Sequence, residues 1–381
     1  MDRKLKLAFI GGGINSAIGD THFIASQMDN LFSVDAGCFS RDEVINEATA
    51  KKWGIAPSNL YSNWQDLINN AKSTIDAIVV LTPTPAHLNP VLSAIENGIP
   101  VICEKALAST SIDAQKMMAA LEESAGYLAV TYNYTGYPMV RELKEMIRHG
   151  RLGRVEQIHI EMPQEGFARL NREGKPMVPQ QWRMRDGDIP TISLDLGVHL
   201  HHMIDFLTGE KPESLVATQS SMGQFRQVVD NTMALVKYTN GLECNLWFSK
   251  SALGHRNGLK VRVYGDQGSA EWFQLEPELI HFCDNGGRKM QIDRAYNDVF
   301  IAHQPRYNRF KSGHPSGFLE AFSNLYVDVF EDLTNKLIGK PAQNDFVFHA
   351  QDAYEGLLML EAIELSAREQ RWVDLKQREK K

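Results

Sequence analysis

The strongest constraint on the fold is the apolar run from Ile75 to Leu81, in which Asp76 is the only charged residue. A strand with one wet face alternates apolar and polar residues. A strand buried on both faces does not, and burial on both faces belongs to parallel sheets covered by helices. Leu5 to Ile10, Phe32 to Phe39, Val101 to Cys103 and Tyr127 to Tyr132 read as further strands. Helical stretches separate them. One carries His22, Ile24 and Ala25; another runs from Glu43 to Trp53 and is closed by Gly54. A third lies between Thr82-Pro83-Thr84-Pro85 and Gly98, and a fourth around Ala114 to Ser124. Such alternation implies right-handed βαβ units on a parallel sheet.

After about residue 135 the pattern changes. Val140 to His149 reads as an amphipathic helix ended by Gly150 and Gly153. Longer alternating strands follow: Val155 to Met162, Ser214 to Gln219, Thr232 to Tyr238, Glu243 to Ser249, Leu259 to Tyr264 and Ser269 to Gln274. Thr239-Asn240-Gly241 is a hairpin signal, because Asn-Gly tolerates the positive φ of a type I′ turn. Gly265-Asp266-Gln267-Gly268 reads as a second hairpin loop, and helices near Phe318 to Lys336 and Ala350 to Glu369 finish the chain. At 381 residues the sequence is long enough for two cores.

The formal net charge of −7 and pI near 6.0 argue against nucleic-acid or anionic-membrane partners, which need a basic surface. The basic tail Lys376 to Lys381 reads as a solvated terminus. Cys38, Cys103, Cys244 and Cys283 are widely spaced, with no CxxC pair to suggest a zinc site or disulfide framework. The first strand is not preceded by the apolar region of a signal peptide, and no apolar run approaches the length of a membrane span. The expectation is a soluble, cytoplasmic protein.

Gly11-Gly12-Gly13 after the first strand begins a dinucleotide fingerprint. Gly11 allows the tight turn, and Gly13 lets the backbone approach a pyrophosphate at a helix N-terminus. A plain strand-helix turn would use the same residues. The usual third glycine falls on Ser16, so Gly19 takes its packing role if the loop is extended. Past the second strand, Ser40 and Arg41 suit a 2′-phosphate, while Asp42 suits a ribose hydroxyl; NAD and NADP both stay open. Glu104-Lys105 directly follows Val101-Ile102-Cys103, at the sheet edge where open α/β sheets bind ligands. Asp195 and His199 are spaced i,i+4, which suits an acid/base histidine held by a carboxylate. A capping Asp with a satisfied histidine, or a metal site with His202, are the competing readings; no metal is expected. Trp182-Arg183 and Asn133-Tyr134 are aromatic and polar together, and His314 lies in a Gly-Pro loop. The stripe Phe318, Phe322, Tyr326 reads as core.

Together the glycine loop, Thr82-Pro83 with His87, Glu104-Lys105, and Asp195 with His199 resemble the glucose-fructose oxidoreductase / inositol dehydrogenase / rhizopine-catabolism (Gfo/Idh/MocA) family over almost the whole chain. The long glycine loop, Asn133-Tyr134-Thr135-Gly136-Tyr137-Pro138 and Gly313-His314-Pro315 are similar to its branch of levoglucosan and glucoside 3-dehydrogenases. The resemblance implies an α/β chain: a Rossmann dinucleotide-binding domain over residues 1–130, then a substrate-binding and oligomerisation domain over 131–381. The second domain would be α+β with a large, mostly antiparallel open sheet. The implied catalytic residues are Lys105, Asp195 and His199. The implied cofactor residues are Gly11, Gly13, Ile14, Asn15, Ser40, Arg41, Leu81, Thr82, Pro83, His87, Glu104, Lys105 and Asn133. Substrate would meet Lys105, Tyr134, Trp182, Arg183, Asp195, His199 and His314. The implied activity is NAD- or NADP-dependent hydride transfer at a secondary alcohol or ketone carbon of a sugar, glycoside, anhydrosugar or cyclitol. The implied assembly is a homodimer or homotetramer packed through the second sheet. A nucleotide-dependent sensor or corepressor without turnover, and redox-assisted elimination on the same scaffold, are the alternatives. The chain departs from the family at Ala106, where proline is common and sits in many members on a cis bond, a form that proline adopts far more readily than alanine.

Overall fold

The computed structural model describes residues 3–375, so the basic tail Lys376 to Lys381 lies outside the described residues. Strand and helix alternate from the start: β1 (Leu5–Gly11), α1 (Gly19–Gln27), β2 (Phe32–Cys38), α2 (Glu43–Trp53), α3 (Trp64–Ala71), β3 (Ala77–Leu81), α4 (Leu88–Glu96), β4 (Val101–Glu104), α5 (Ser111–Ser124) and β5 (Leu128–Thr131). Every residue of β3, β4 and β5 is buried, the outcome that an unalternating apolar run predicts. These strands pair in parallel in the order β5-β4-β3-β1-β2. Local chemistry sets the helix ends. Asp42 caps α2 by accepting from the Ile45 amide at 3.2 Å, and Gly54, at φ 72°, stops it. Helix α3 was not anticipated from the sequence; it is short and is started by Asn63, which accepts from the Asp66 amide at 2.8 Å.

The glycine loop is extended, as its spacing suggests. Gly11 and Gly12 have φ of 83° and 77°, a region costly for other residues. Helix α1 begins only at Gly19, where a Cβ would lie 1.7 Å from the Gly12 carbonyl oxygen. Gly19 therefore supplies the close helix-to-strand packing that Ser16 does not.

The middle of the chain forms α6 (Pro138–Arg148), β6 (Val155–Pro163), α7 (Val198–Thr208), β7 (Pro212–Ser220), β8 (Asn231–Tyr238), β9 (Glu243–Ser249), β10 (Lys260–Gly265), β11 (Gly268–Phe273), β12 (Ile280–Asp284) and β13 (Lys289–Ile292). Strand β8 alternates buried and exposed residues, as a sheet with one covered face requires. In the turn between β8 and β9, Asn240 and Gly241 have φ of 55° and 78°, and the Leu242 amide donates to the Thr239 carbonyl at 3.3 Å. This is the type I′ geometry expected of Asn-Gly. Strands β12 and β13 extend the sheet beyond those anticipated.

The chain ends with α8 (Phe318–Leu337), β14 (Phe348–His349), α9 (Ala350–Glu369) and β15 (Val373–Asp374). Two compact units result: residues up to Gly136 with Phe318–Tyr354, and Tyr137–Gly317 with the segment from Glu355 onward. The resemblance implies one contiguous division at residue 130; here the segment 318–354 groups with the first unit. Packing explains the return. Helix α8 buries Phe322, Leu325, Tyr326, Val329 and Leu333 in the same cluster as Leu5, Leu7, Phe9 and Phe32. The Phe32 and Tyr326 rings meet edge-on at 5.6 Å. Strand β14 pairs antiparallel with β5 and completes a six-stranded sheet. The second unit holds a nine-stranded sheet, β13-β12-β11-β10-β6-β9-β8-β7-β15, antiparallel except for the parallel pair β6 and β9. Among the described residues no helix is long and apolar enough to cross a membrane.

Candidate active site

In a parallel sheet every strand ends on the same edge, so the first unit gathers its expected cofactor residues there. Gly11 to Gly13 follow β1, Ser40 and Arg41 follow β2, Leu81-Thr82-Pro83 close β3, Glu104-Lys105 close β4, and Asn133 follows β5. Ile14 and Asn15 are exposed at the glycine loop, where the Ile14 amide donates to the Thr49 hydroxyl at 3.1 Å. The Ser40 hydroxyl accepts from the Asp42 amide at 3.1 Å, and the Asp42 carboxylate is occupied as the cap of α2. Arg41 is exposed beside them. Two buried polar atoms on this edge, Asn133 Nδ2 and Thr82 Oγ1, have no hydrogen-bond partner among the described residues. A buried donor left unmet costs about 1–3 kcal/mol, so these atoms are suited to a polar ligand. The edge thus fits a dinucleotide. His87 lies beneath it, 1% exposed, with Nε2 against the Thr82 carbonyl at 2.7 Å and Nδ1 against the Leu107 carbonyl at 3.2 Å. Burial lowers its pKa, and its ring shapes the Thr82-Pro83 loop from below.

Glu104 and Lys105 rest on a buried polar network that the sequence did not reveal. His22 of α1 is fully buried; its Nε2 meets Glu104 Oε1 at 3.0 Å and its Nδ1 meets the Tyr326 hydroxyl of α8 at 2.8 Å. The Thr131 hydroxyl donates to the same Glu104 oxygen at 2.5 Å. Burial opposes ionisation of Glu104, but the hydrogen bond and electrostatic pull of His22, then Lys105 and Thr131, outweigh it and hold the carboxyl below its ordinary range. The Lys105–Ala106 peptide bond is cis. Replacing His22 with leucine is expected to cost about 1–3 kcal/mol of stability at neutral pH. A carboxyl lowered in the folded state stabilises above its unfolded pKa and loses that contribution as pH falls through the folded value. The deficit of His22→Leu should therefore shrink as pH drops below about 4, and urea unfolding at neutral and acid pH measures it. An equal deficit at both pH values would show that only packing was lost.

In the second unit, Asp195 lies on a single π-helical turn, Ser193–Gly197, that leads into α7, and His199 sits in the first turn of that helix, 4% exposed. The Asp195 carboxylate accepts from two cations, the Arg183 guanidinium and the Lys250 ammonium. Arg183 also stacks on Trp182, 4.5 Å from the ring centroid, and the Trp182 indole donates to Gln180 at 3.0 Å. Trp182, Arg183 and Asp195 are therefore brought together. Lys250, directly after β9, was not anticipated; like Lys105 it follows a strand end, but β9 alternates exposed polar and buried residues instead of being apolar throughout. His201 and His202 are buried beside His199; burial lowers the pKa of both. Among the described residues no three His, Cys, Asp or Glu side chains are grouped so as to hold a metal. Tyr134 is buried in the first unit, 6.3 Å from Phe318. His314 is exposed, and its carbonyl accepts from Arg294 at 3.0 Å.

Comparison with known proteins agrees with both halves of this layout. The oxidoreductase-family NAD-binding Rossmann fold matches residues 5–132, and the GFO/IDH/MocA C-terminal domain matches residues 140–271. An oxidoreductase of Sinorhizobium meliloti is 32% identical, with a TM-score of 0.85 over 98% of this chain and 100% of that one. An inositol dehydrogenase homologue of Azotobacter vinelandii, solved with NADH and myo-inositol, is 26% identical, with a TM-score of 0.90 over 98% of each chain. The levoglucosan dehydrogenase of Pseudarthrobacter phenanthrenivorans is 24% identical over 98% of this chain and 99% of its own. With a parallel dinucleotide edge, a mostly antiparallel second sheet, and matches that span nearly its full length, the chain belongs to the Gfo/Idh/MocA family of NAD(P)-binding oxidoreductases.

Proposed function

We propose that this protein is a cytoplasmic NAD(P)-dependent dehydrogenase acting on a secondary alcohol or ketone carbon of a small polyhydroxylated substrate: a sugar, glycoside, anhydrosugar or cyclitol. The observation that carries this reading is the sheet edge of the first unit, where the glycine turn, two unmet buried polar atoms and Glu104-Lys105 converge. Gly11, Gly13, Ile14, Asn15, Ser40, Arg41, Leu81, Thr82, Pro83, Glu104, Lys105 and Asn133 would hold the dinucleotide, with His87 supporting the loop. When bound, the nicotinamide supplies the redox chemistry by exchanging hydride with the substrate carbon. Lys105 donates a hydrogen bond to the substrate oxygen and stabilises the negative charge that develops on it. His199, oriented by Asp195, accepts the hydroxyl proton during oxidation and returns it during reduction. Tyr134, Trp182, Arg183 and His314 form the remaining substrate contacts. Homodimers or homotetramers form through the open face of the second sheet, which exposes Met233, Leu235 and Tyr264. The free thiols of Cys38, Cys103, Cys244 and Cys283 suit the cytoplasm.

The test is nicotinamide absorbance with NAD and NADP in parallel against inositols, anhydrosugars, glycosides and free sugars. No turnover despite tight nucleotide binding would overturn the dehydrogenase reading in favour of a sensor. Product analysis exposes elimination without net redox change. Within the same assay, Arg41→Ala is expected to weaken NADP by about 10–100-fold, the worth of a charge-assisted hydrogen bond to the 2′-phosphate, and to leave NAD unchanged. Equal effects on both nucleotides would remove Arg41 from the phosphate contact.

A further inference from the structure

The cations gathered on Asp195 bear on how His199 accepts a proton. Lys250 is 8% exposed, and its backbone is fixed at both ends: its amide donates to the Asp230 carbonyl at 2.7 Å, and its carbonyl accepts from the Phe167 amide at 2.8 Å. The ammonium lies 5.4 Å from the Phe167 ring centroid and reaches the Asp195 carboxylate. Burying an ammonium is costly unless it is paired. Here two cations, Lys250 and Arg183, share one carboxylate. Arg183 is the more exposed of the two, with 21% of its side chain accessible against 10% for Lys250. Lys250 is thus the less screened of the two charges.

A carboxylate four residues before a histidine on one helical segment stabilises the imidazolium and raises the histidine pKa. An isolated Asp195 would therefore favour the protonated form of His199, which cannot accept a proton. A second charge that neutralises Asp195 removes that pull. We propose that Lys250 is a positioning residue for the reaction: it fixes Asp195 and offsets its charge, so that His199 stays in the neutral, proton-accepting form. The inference rests on the role given to His199 above.

Other charged groups frame the same place. The Asp230 carboxylate is taken up by the Met222 and Gly223 amides and the Ser251 hydroxyl. His199 and His201 of α7 and Lys144 of α6 act electrostatically on His202. Asp205, Lys211 and Glu355 act on His201. Lys250→Met removes the ammonium and keeps an unbranched side chain, so the replacement targets its charge.

The experiment is NMR titration of the ring-labelled full-length protein, which has twelve histidines, with His199 assigned from its glutamine variant. It needs no substrate. In Lys250→Met the His199 midpoint should rise by about one unit, the scale of losing one nearby opposing charge. Lys250→Arg should restore the wild-type midpoint. An unchanged midpoint in a folded Lys250→Met protein overturns the proposal. If that variant does not fold, Asp195→Asn decides, because the midpoint must then fall and an unchanged value is equally fatal. A shifted midpoint in a protein that never turns over an alcohol would sink the dehydrogenase reading and leave the Lys250 coupling standing. Turnover with an unmoved midpoint would do the reverse.

Discussion

His199→Ala is expected to lower turnover by about 10²–10⁴-fold, the usual contribution of a positioned acid/base group, while leaving nucleotide binding unchanged. The separation follows from where the residues sit. Every candidate dinucleotide contact lies in the first unit, whereas His199 lies on α7 of the second, 4% exposed. Lys105→Ala should lose about 10²–10³-fold through the missing donor to the developing oxyanion, and this loss should extend to nucleotide binding because Lys105 is also among the proposed dinucleotide contacts. Stopped-flow turnover paired with fluorescence titration of reduced nucleotide reads both effects. In His199→Ala the acid limb of the pH–rate profile should also vanish, since the group whose protonation stops the reaction is gone. A His199→Ala protein with full turnover and an intact acid limb would end the assignment, and Lys105 would become the first residue to test as proton acceptor.

The second large effect concerns stability. Glu142 on α6 is fully buried, and its carboxylate accepts from the amides of Phe300 at 2.9 Å, Ile301 at 2.9 Å and Ala302 at 3.2 Å. One side chain therefore satisfies three successive backbone donors of an irregular segment that has no ladder of its own. Glu142→Ala leaves all three unmet. At about 1–3 kcal/mol for each unsatisfied donor, partly recovered by relaxation, the expected loss is about 3–5 kcal/mol. Glu142→Gln keeps the shape and one acceptor and should lose about half as much. Denaturant unfolding checks both values, and hydrogen exchange at Phe300 to Ala302 should quicken in step. An alanine variant as stable as the parent would show that this segment finds other acceptors.

Much of the architecture is a local property of the sequence. The run Ile78-Val79-Val80-Leu81 specified a strand buried on both faces because it offers no polar side for water. Asn240-Gly241 specified its turn through the φ values that those two residues tolerate. Gly19 was legible as the displaced packing glycine because helix and strand cannot approach so closely over a Cβ. The stripe on α8 was legible as core at Phe322 and Tyr326, which are buried, but not at Phe318, which is exposed. Residue type, spacing and position relative to strand ends singled out Lys105, Asp195 and His199 as candidates, and the family resemblance supplied the catalytic roles proposed for them.

Only the tertiary structure decided which distant groups became partners. Periodicity shows that a face of α8 must be buried, but not that it packs with Phe9 and Phe32 some three hundred residues earlier. Sequence spacing could not join His22 to Glu104 and Tyr326, which lie 82 and 304 residues away, nor Lys250 to Asp195, 55 residues before it. A buried polar or charged side chain must find a complement or pay the desolvation cost, and the path of the chain through space determines which complement is within reach. Local physics fixed the elements and their wet and dry faces, and the three-dimensional path chose the partners of Glu104 and Asp195.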